Sequence, residues 1–226
     1  MPVLHTCHLF TWLSFSREKF AWSLVGDVLP PYIPRTVRKQ LFLSSFVFLI
    51  SIVVPHIAEA RSIGTPRTLR IPKIKVDAEV IALGIMPDGK LDAPKNASQV
   101  GWWNGGKLPG EQGTAVIDGH LNLQGKPAVF WNLRRLRRGD RFEVEDEKGE
   151  KLTFQIRKVK KFPVANAPLD DIFLKAGGRY LNLITCAGQW DDAIGHYNER
   201  LVIFSELVSD SEISGTRSAY TARRSS

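Results

Sequence analysis

The sequence predicts a mainly β domain, a closed barrel or a sandwich, preceded by one membrane-spanning helix. Two observations carry this prediction. Short runs rich in β-branched and large apolar residues recur between turn residues over residues 68–208, with few helical stretches among them. A stretch of apolar residues without a charged side chain precedes them at 40–58, and the 226 residues suffice for one sizeable domain with extensions.

Composition excludes several classes of protein. Apolar residues make up 43% of the chain and charged residues 24%, which is typical of a globular protein and excludes a collagen, a coiled coil or a wholly disordered chain. Two cysteines exclude a disulfide scaffold and a cysteine-rich zinc module. The net charge of +8 fits a chain near an anionic membrane or cell wall, and we predict no nucleic-acid partner.

The amino-terminal part of the sequence indicates the cellular location of the protein. Residues 40–58 form the predicted transmembrane anchor, and residues 1–39 form a cytoplasmic segment whose basic residues next to the anchor are Arg35, Arg38 and Lys39. Basic residues before a span keep that end in the cytoplasm, so the remainder would be extracellular. Two alternatives are a signal peptide cleaved after Ala58-Glu59-Ala60 and a buried core helix.

The predicted exported part begins with a linker, residues 59–67, and continues as the β domain, residues 68–208. Its strand-like runs are, in order, Thr68–Ile71, Glu79–Leu83, Thr114–Ile117, Arg141–Glu145, Leu152–Ile156, Tyr180–Thr185 and Leu201–Leu207. Two short helices are predicted at Pro127–Leu136 and Pro168–Ala176, because the first helical turn tolerates proline. The polar residues 209–226 predict a disordered tail.

Cys186 is the candidate nucleophile. It is the only cysteine of the predicted exported domain, since Cys7 would lie on the other side of the membrane, and an unpaired thiol outside the cell invites a chemical role. It follows the apolar run 181–185 and precedes Ala187-Gly188, which places it at a predicted strand end, where functional side chains are often found. The alternative is an inert buried cysteine.

Two further residues supply what a cysteine nucleophile needs. His120 follows the strand-like run 115–119 and is the candidate acid–base residue. Arg200 opens the run 200–204 and could hold a developing oxyanion. The second histidine of the domain, His196, lies in a predicted loop, where a histidine is usually solvated. A zinc site built from Cys186 and the two histidines has no supporting ligand spacing.

These segments resemble the sortases, the membrane-anchored cysteine transpeptidases of bacterial surfaces. The resemblance rests on VIDGHLN, LNLITCAG and NERLVIFSEL: a strand with a histidine, a later strand ending Leu-x-Thr-Cys, and an arginine opening the last strand. VGWWNGGKLPGEQGTAVIDGH and ITCAGQWDDAIGHYNERLVIF are similar to class F and related sortases, and the resemblance covers residues 66–208. Class F sequences often have Asn where Arg200 stands.

The resemblance implies a sortase β-barrel with its site at one end. Cys186 would attack a Leu-Pro-x-Thr-Gly-type sorting signal between Thr and Gly and form a thioester acyl-enzyme. His120 would protonate the leaving amine, Arg200 would bind the oxyanion, and Thr185 would contact the substrate. The partners would be surface proteins with a sorting signal, the membrane and an amine acceptor, such as a cell-wall peptide or lipid-linked precursor. No cofactor or metal is predicted.

Two other functions remain open at this point. An L,D-transpeptidase is also an exported cysteine enzyme, but its Ser-His-Gly-Cys type of motif does not occur before Cys186. A non-catalytic, sortase-like membrane assembly module would not need a complete set of Cys, His and Arg. The expected location is the bacterial cell membrane, crossed once, with the catalytic domain outside.

Overall fold

The computed structural model describes residues 64–87, 91–193 and 195–209. The predicted cytoplasmic segment (1–39) and anchor (40–58) lie outside the described residues, as do residues 59–63 of the predicted linker and 210–226 of the predicted tail. Within the described ranges, no helix has the length and apolar character needed to cross a membrane.

Eight strands close into a barrel, which confirms the prediction of a mainly β domain. The strands along the chain are β1 (Pro66–Ile71), β2 (Val76–Leu83), β3 (Val100–Trp103), β4 (Gly113–Gly119), β5 (Asn122–Leu123), β6 (Lys126–Pro127), β7 (Arg141–Asp146), β8 (Lys151–Pro163), β9 (Arg179–Asp191) and β10 (His196–Leu207). The barrel order is β1-β2-β3-β4-β9-β10-β8-β7, and β7 closes it by pairing with β1. The pairs β2–β3 and β4–β9 are parallel, whereas β5 and β6 form a separate hairpin.

Helical structure is shorter than predicted. Of the predicted helix Pro127–Leu136, only Leu133–Arg135 is helical, as one 3₁₀ turn. Its first residue, Pro127, pairs instead with Asn122 in the small hairpin. Of the predicted helix Pro168–Ala176, Asp170–Leu174 forms one π-helical turn. The remaining 3₁₀ turns in the described part of the chain are Pro72–Ile74 and Val164–Asn166.

Strand β3 has no counterpart among the predicted strands. All four of its residues are buried, so its sequence, VGWW, lacks the alternation that marks a half-exposed strand. It lies between β2 and β4, and its tryptophans, Trp102 and Trp103, pack into two different apolar clusters.

Alternate residues of each strand face opposite sides of the barrel wall, as the two-residue period of a strand requires. The larger apolar cluster takes residues from all eight barrel strands and therefore fills the interior; on β9 it contains Leu181 and Leu183. The smaller cluster covers the outer face and contains Ile184 and Cys186 from β9, together with Ile172 and other residues from the loops. The candidate nucleophile therefore lies on the covered outer face of the barrel.

Close packing over this outer face leaves no room for a side chain at Gly101 of β3. A Cβ at this position would lie 1.9 Å from Leu83 Cδ1 and 2.7 Å from Asp118 Oδ1. We expect Gly101→Ala to lower the free energy of unfolding by about 1–3 kcal/mol, since overpacking forces side chains from their rotamers. Urea denaturation measures this loss. The control is Gly84→Ala, where the nearest atom to a Cβ is 4.0 Å away; equal stability of the two variants would contradict the packing described here.

Candidate active site

Strands β9 and β10 place Cys186 opposite Arg200. The two residues are Cα partners in the antiparallel pair, and both are fully buried. The prediction that each lies at a strand end is wrong, because β9 continues to Asp191 and β10 already begins at His196. In the sequence, Gly188 suggests that the strand ends in a turn. In the structure, Gly188 has a positive φ of 81° but lies within the long hairpin, near the bulge between Tyr197 and Glu199.

Strand β4 brings His120 to the same place. It runs parallel to β9, and the last pair in register is Asp118 with Ile184. When this register is continued by two residues along each chain, His120 lies alongside Cys186. The hydroxyl of Thr185 donates a 2.7 Å hydrogen bond to the carbonyl oxygen of Gly119, which ties the two chains together at this point.

His120 is held by the loop between β2 and β3. Its side chain is buried, and its Nε2 lies 2.8 Å from the carbonyl oxygen of Pro94. Because a carbonyl oxygen can only accept a hydrogen bond, Nε2 is the donor and carries a proton. The contact fixes the orientation of the ring and commits Nε2 to Pro94, so a proton exchanged with a substrate would be carried by Nδ1.

Arg200 provides a buried positive charge opposite Cys186. Its Nη1 donates hydrogen bonds to the carbonyl oxygens of Tyr197 at 2.8 Å and Glu199 at 2.9 Å. Burial lowers the pKa of Arg200 to about 10. That pKa is still well above neutrality, so the guanidinium remains charged there and can stabilise an anion.

The sulfur of Cys186 is disulfide-bonded in the structure, whereas the sequence predicts an unpaired thiol. A disulfide sulfur is not a nucleophile, so any cysteine chemistry at this position begins after reduction. The side chain packs among apolar residues of the outer cluster, such as Ile184 and Val202.

His196 is not a solvated loop residue, which corrects the prediction. It is buried in the first position of β10, and its Nδ1 lies 2.9 Å from the carbonyl oxygen of Tyr197. Its partner across the hairpin is Asp191, five residues beyond Cys186 on β9. At about 3.3 Å per residue, His196 is roughly 16 Å along the strand from Cys186. Distance therefore favours His120 as the acid–base residue.

Thr185 is fully buried, and its hydroxyl is engaged with the backbone of Gly119. This contact gives it a positioning role, because it holds the residue immediately before His120. The substrate contact inferred from the sequence stays a prediction.

Asp118 is a residue of this face that the sequence analysis did not select. It is fully buried two residues before His120, and neither of its carboxylate oxygens has a hydrogen-bond partner. Burial raises its pKa well above the usual range, and the nearby charge of Asp92 adds to the effect. The available signal was an acidic residue at the end of the apolar run Ala115–Ile117.

No group of three or more potential metal ligands occurs within the described part of the chain.

Comparison with known proteins identifies the barrel. The family model of the sortase domain matches residues 69–208. The crystal structure of sortase C-1 from Streptococcus pneumoniae is 29% identical, with a TM-score of 0.50, over 63% of this chain and 66% of that chain. Sortase C1 of GBS pilus island 1 is 26% identical, with a TM-score of 0.50, over 63% of each chain. This chain thus spans less than two thirds of the length of either. No curated protein matches it significantly.

Proposed function

This chain belongs to the sortase family, and we propose that it is a cysteine transpeptidase that cleaves a Leu-Pro-x-Thr-Gly-type sorting signal between Thr and Gly. The observation that carries the proposal is the pairing of Cys186 with Arg200 across β9 and β10, with His120 brought alongside by β4. These are the elements of acyl transfer: a nucleophile, an acid–base group and an oxyanion donor. The solved structures named above are C-type sortases, so the resemblance to class F is not confirmed.

In the first half of the proposed reaction, the reduced Cys186 attacks as a thiolate. Its sulfur forms a bond to the carbonyl carbon of the signal's threonine, and the guanidinium of Arg200 donates hydrogen bonds to the resulting oxyanion. As the intermediate collapses, the carbon–nitrogen bond to glycine breaks. Protonated His120 gives its Nδ1 proton to the leaving amine and becomes neutral, which leaves a thioester on Cys186.

In the second half, an acceptor amine attacks the thioester carbonyl. Neutral His120 takes the proton that the amine loses, Arg200 again binds the oxyanion, and the thiolate of Cys186 departs. The products are an amide joining the surface protein to its acceptor and an enzyme in its starting protonation state. The proposed acceptor is a cell-wall peptide, a lipid-linked precursor or another amine.

The test is a product assay. The full chain, reduced beforehand, is incubated with Leu-x-x-Thr-Gly peptides and an amine, and the products are identified by mass. We expect peptides cut after threonine and joined to the amine. Cleavage elsewhere, or no turnover by the folded and reduced protein, would contradict the proposed function. An L,D-transpeptidase activity has no support in the comparisons.

Transpeptidation should be sensitive even to a conservative substitution of Arg200. We expect Arg200→Ala to lower kcat/KM by about 10²–10³-fold, the effect of losing one oxyanion donor. Arg200→Lys should restore little, since a compact ammonium cannot reproduce the planar fork of donors. Steady-state transpeptidation measures both. The control is Arg157→Ala on β8, which removes a partly exposed guanidinium bonded to Glu206 and should remain active; an active Arg200→Ala would remove Arg200 from the mechanism.

The proposed location is the bacterial cell membrane, with residues 40–58 as the anchor and the barrel outside. The uncharged run and the basic residues before it support this topology. A reporter that is active only after export, fused after Ser209, should therefore be active. A cytoplasmic reporter fused at the same position should be inactive; the opposite pair of results would reject the topology.

A further inference from the structure

An unpartnered acid lies on the face of the barrel that carries the candidate nucleophile. Asp118 is fully buried, and both of its carboxylate oxygens lack a hydrogen-bond partner. Buried polar side chains are nearly always paired, and leaving one unpaired is unfavourable to the fold. Such a group calls for an explanation, and departures of this kind from the usual pairing are typical of functional sites.

The position of Asp118 relates it to the reacting atoms. Its Cα partner is Ile184, two residues before Cys186 on the same face of the neighbouring strand. Its carboxyl group leans over β3, because a Cβ on Gly101 would lie 2.7 Å from Oδ1. Strand geometry then puts the carboxyl about 10 Å from the nucleophile, a distance that an extended peptide covers in about three residues.

The surroundings of Asp118 are acidic. Asp92, in the loop after β2, is held at the end of that strand by a 2.9 Å hydrogen bond from its N–H to the carbonyl oxygen of Gly84, and its charge raises the pKa of Asp118. Its own Oδ1 accepts a hydrogen bond from the neighbouring backbone N–H of Ala93, at 2.8 Å. No ion pair among the described residues involves either carboxyl group.

We propose that Asp118 and Asp92 form an acidic subsite that selects a basic side chain of the peptide substrate, about three residues from the scissile bond. The ammonium or guanidinium of this side chain donates hydrogen bonds to the unpartnered oxygens of Asp118 and, as an adjacent positive charge, favours the ionised form that burial disfavours. The inference rests on the proposed peptidyl transfer. Asp118 is as buried as Cys186 and Arg200, so we expect the opening that admits substrate to the nucleophile to uncover Asp118 as well.

The experiment compares matched peptides on the reduced full chain. The variable position x of Leu-Pro-x-Thr-Gly and the second and third positions after the scissile bond carry lysine in one peptide and norleucine, which lacks the ammonium, in the other. We expect lysine to be favoured in kcat/KM by about tenfold or more at one position, because a buried polar site rejects an analogue that cannot pair with it. Asp118→Leu should reverse this preference. The control, Asp77→Ala, removes a carboxylate that is 69% exposed on β2 and should keep it.

A second measurement separates the subsite from a purely structural acid. Asp118→Leu places an apolar side chain beside Leu83 and should raise Tm by about 2–4 °C, since an unpaired buried carboxyl is removed. If Asp118→Leu does not fold, Asp118→Asn tests the same preference.

The outcomes distinguish this inference from the proposed function. Turnover that requires Cys186 but shows no lysine preference at any position would overturn the subsite alone. The same preference in wild type and in the Asp118 variant would also overturn it, as would a lower Tm for a folded Asp118→Leu. No turnover of any peptide would overturn the proposed function, and the subsite with it.

Discussion

Replacing Cys186 by alanine should abolish transpeptidation and prevent any acyl-enzyme from forming. The sulfur is the atom to which the acyl group is transferred, and no other thiol lies in the described barrel. Steady-state assays of the reduced variant, with products identified by mass, measure this loss. Thermal unfolding checks that the variant is folded.

The matched control for this prediction is the other cysteine of the sequence. Cys7→Ala also removes one thiol, and after reduction of both proteins it should leave peptide transfer intact. Activity in Cys186→Ala, together with loss of activity in Cys7→Ala, would show that the nucleophile has been wrongly assigned.

Replacing His120 by alanine should lower kcat by about 10²–10⁴-fold, the usual contribution of one acid–base group. The thiol and the oxyanion donor remain, but the leaving amine has no proton donor. Single-turnover kinetics with the peptide should show that acylation itself has slowed, because the loss of the glycine amine is the step that requires the proton.

His196→Ala is the control, because it removes the other histidine of the described barrel, roughly 16 Å along the strand from Cys186. It should keep most of the activity. An inactive His196→Ala beside an active His120→Ala would reverse the assignment of the acid–base residue and remove the support for the mechanism.

Two of the seven strand-like runs were predictable from sequence because alternation marks a strand with one buried face. Leu152–Ile156 is such a case and lies within β8. Strands β4 and β9 are buried on both faces but are recognisable from their β-branched and large apolar residues, whereas β3, with the sequence VGWW, has one β-branched residue and was missed. The length of the β9–β10 hairpin was also missed, since Gly188 suggests a turn where the structure has a positive φ near a bulge.

The candidate site could be predicted in part. The order of His120, Cys186 and Arg200 along the chain identified the three residues through a family resemblance. Their placement depends on the parallel pairing of β4 with β9, which connects distant segments and has no local signature. Asp118 was passed over for a related reason: burial and the absence of a partner are properties of the assembled barrel.

The most direct test of the proposed mechanism is the intact mass of the reduced protein during reaction with a Leu-Pro-x-Thr-Gly peptide and no added amine. Our account predicts a covalent adduct that contains the peptide through its threonine, lies on Cys186 in peptide mapping, and is released by hydroxylamine, as a thioester should be. Turnover without any adduct on Cys186, or an adduct on another residue, would contradict acyl transfer through this cysteine.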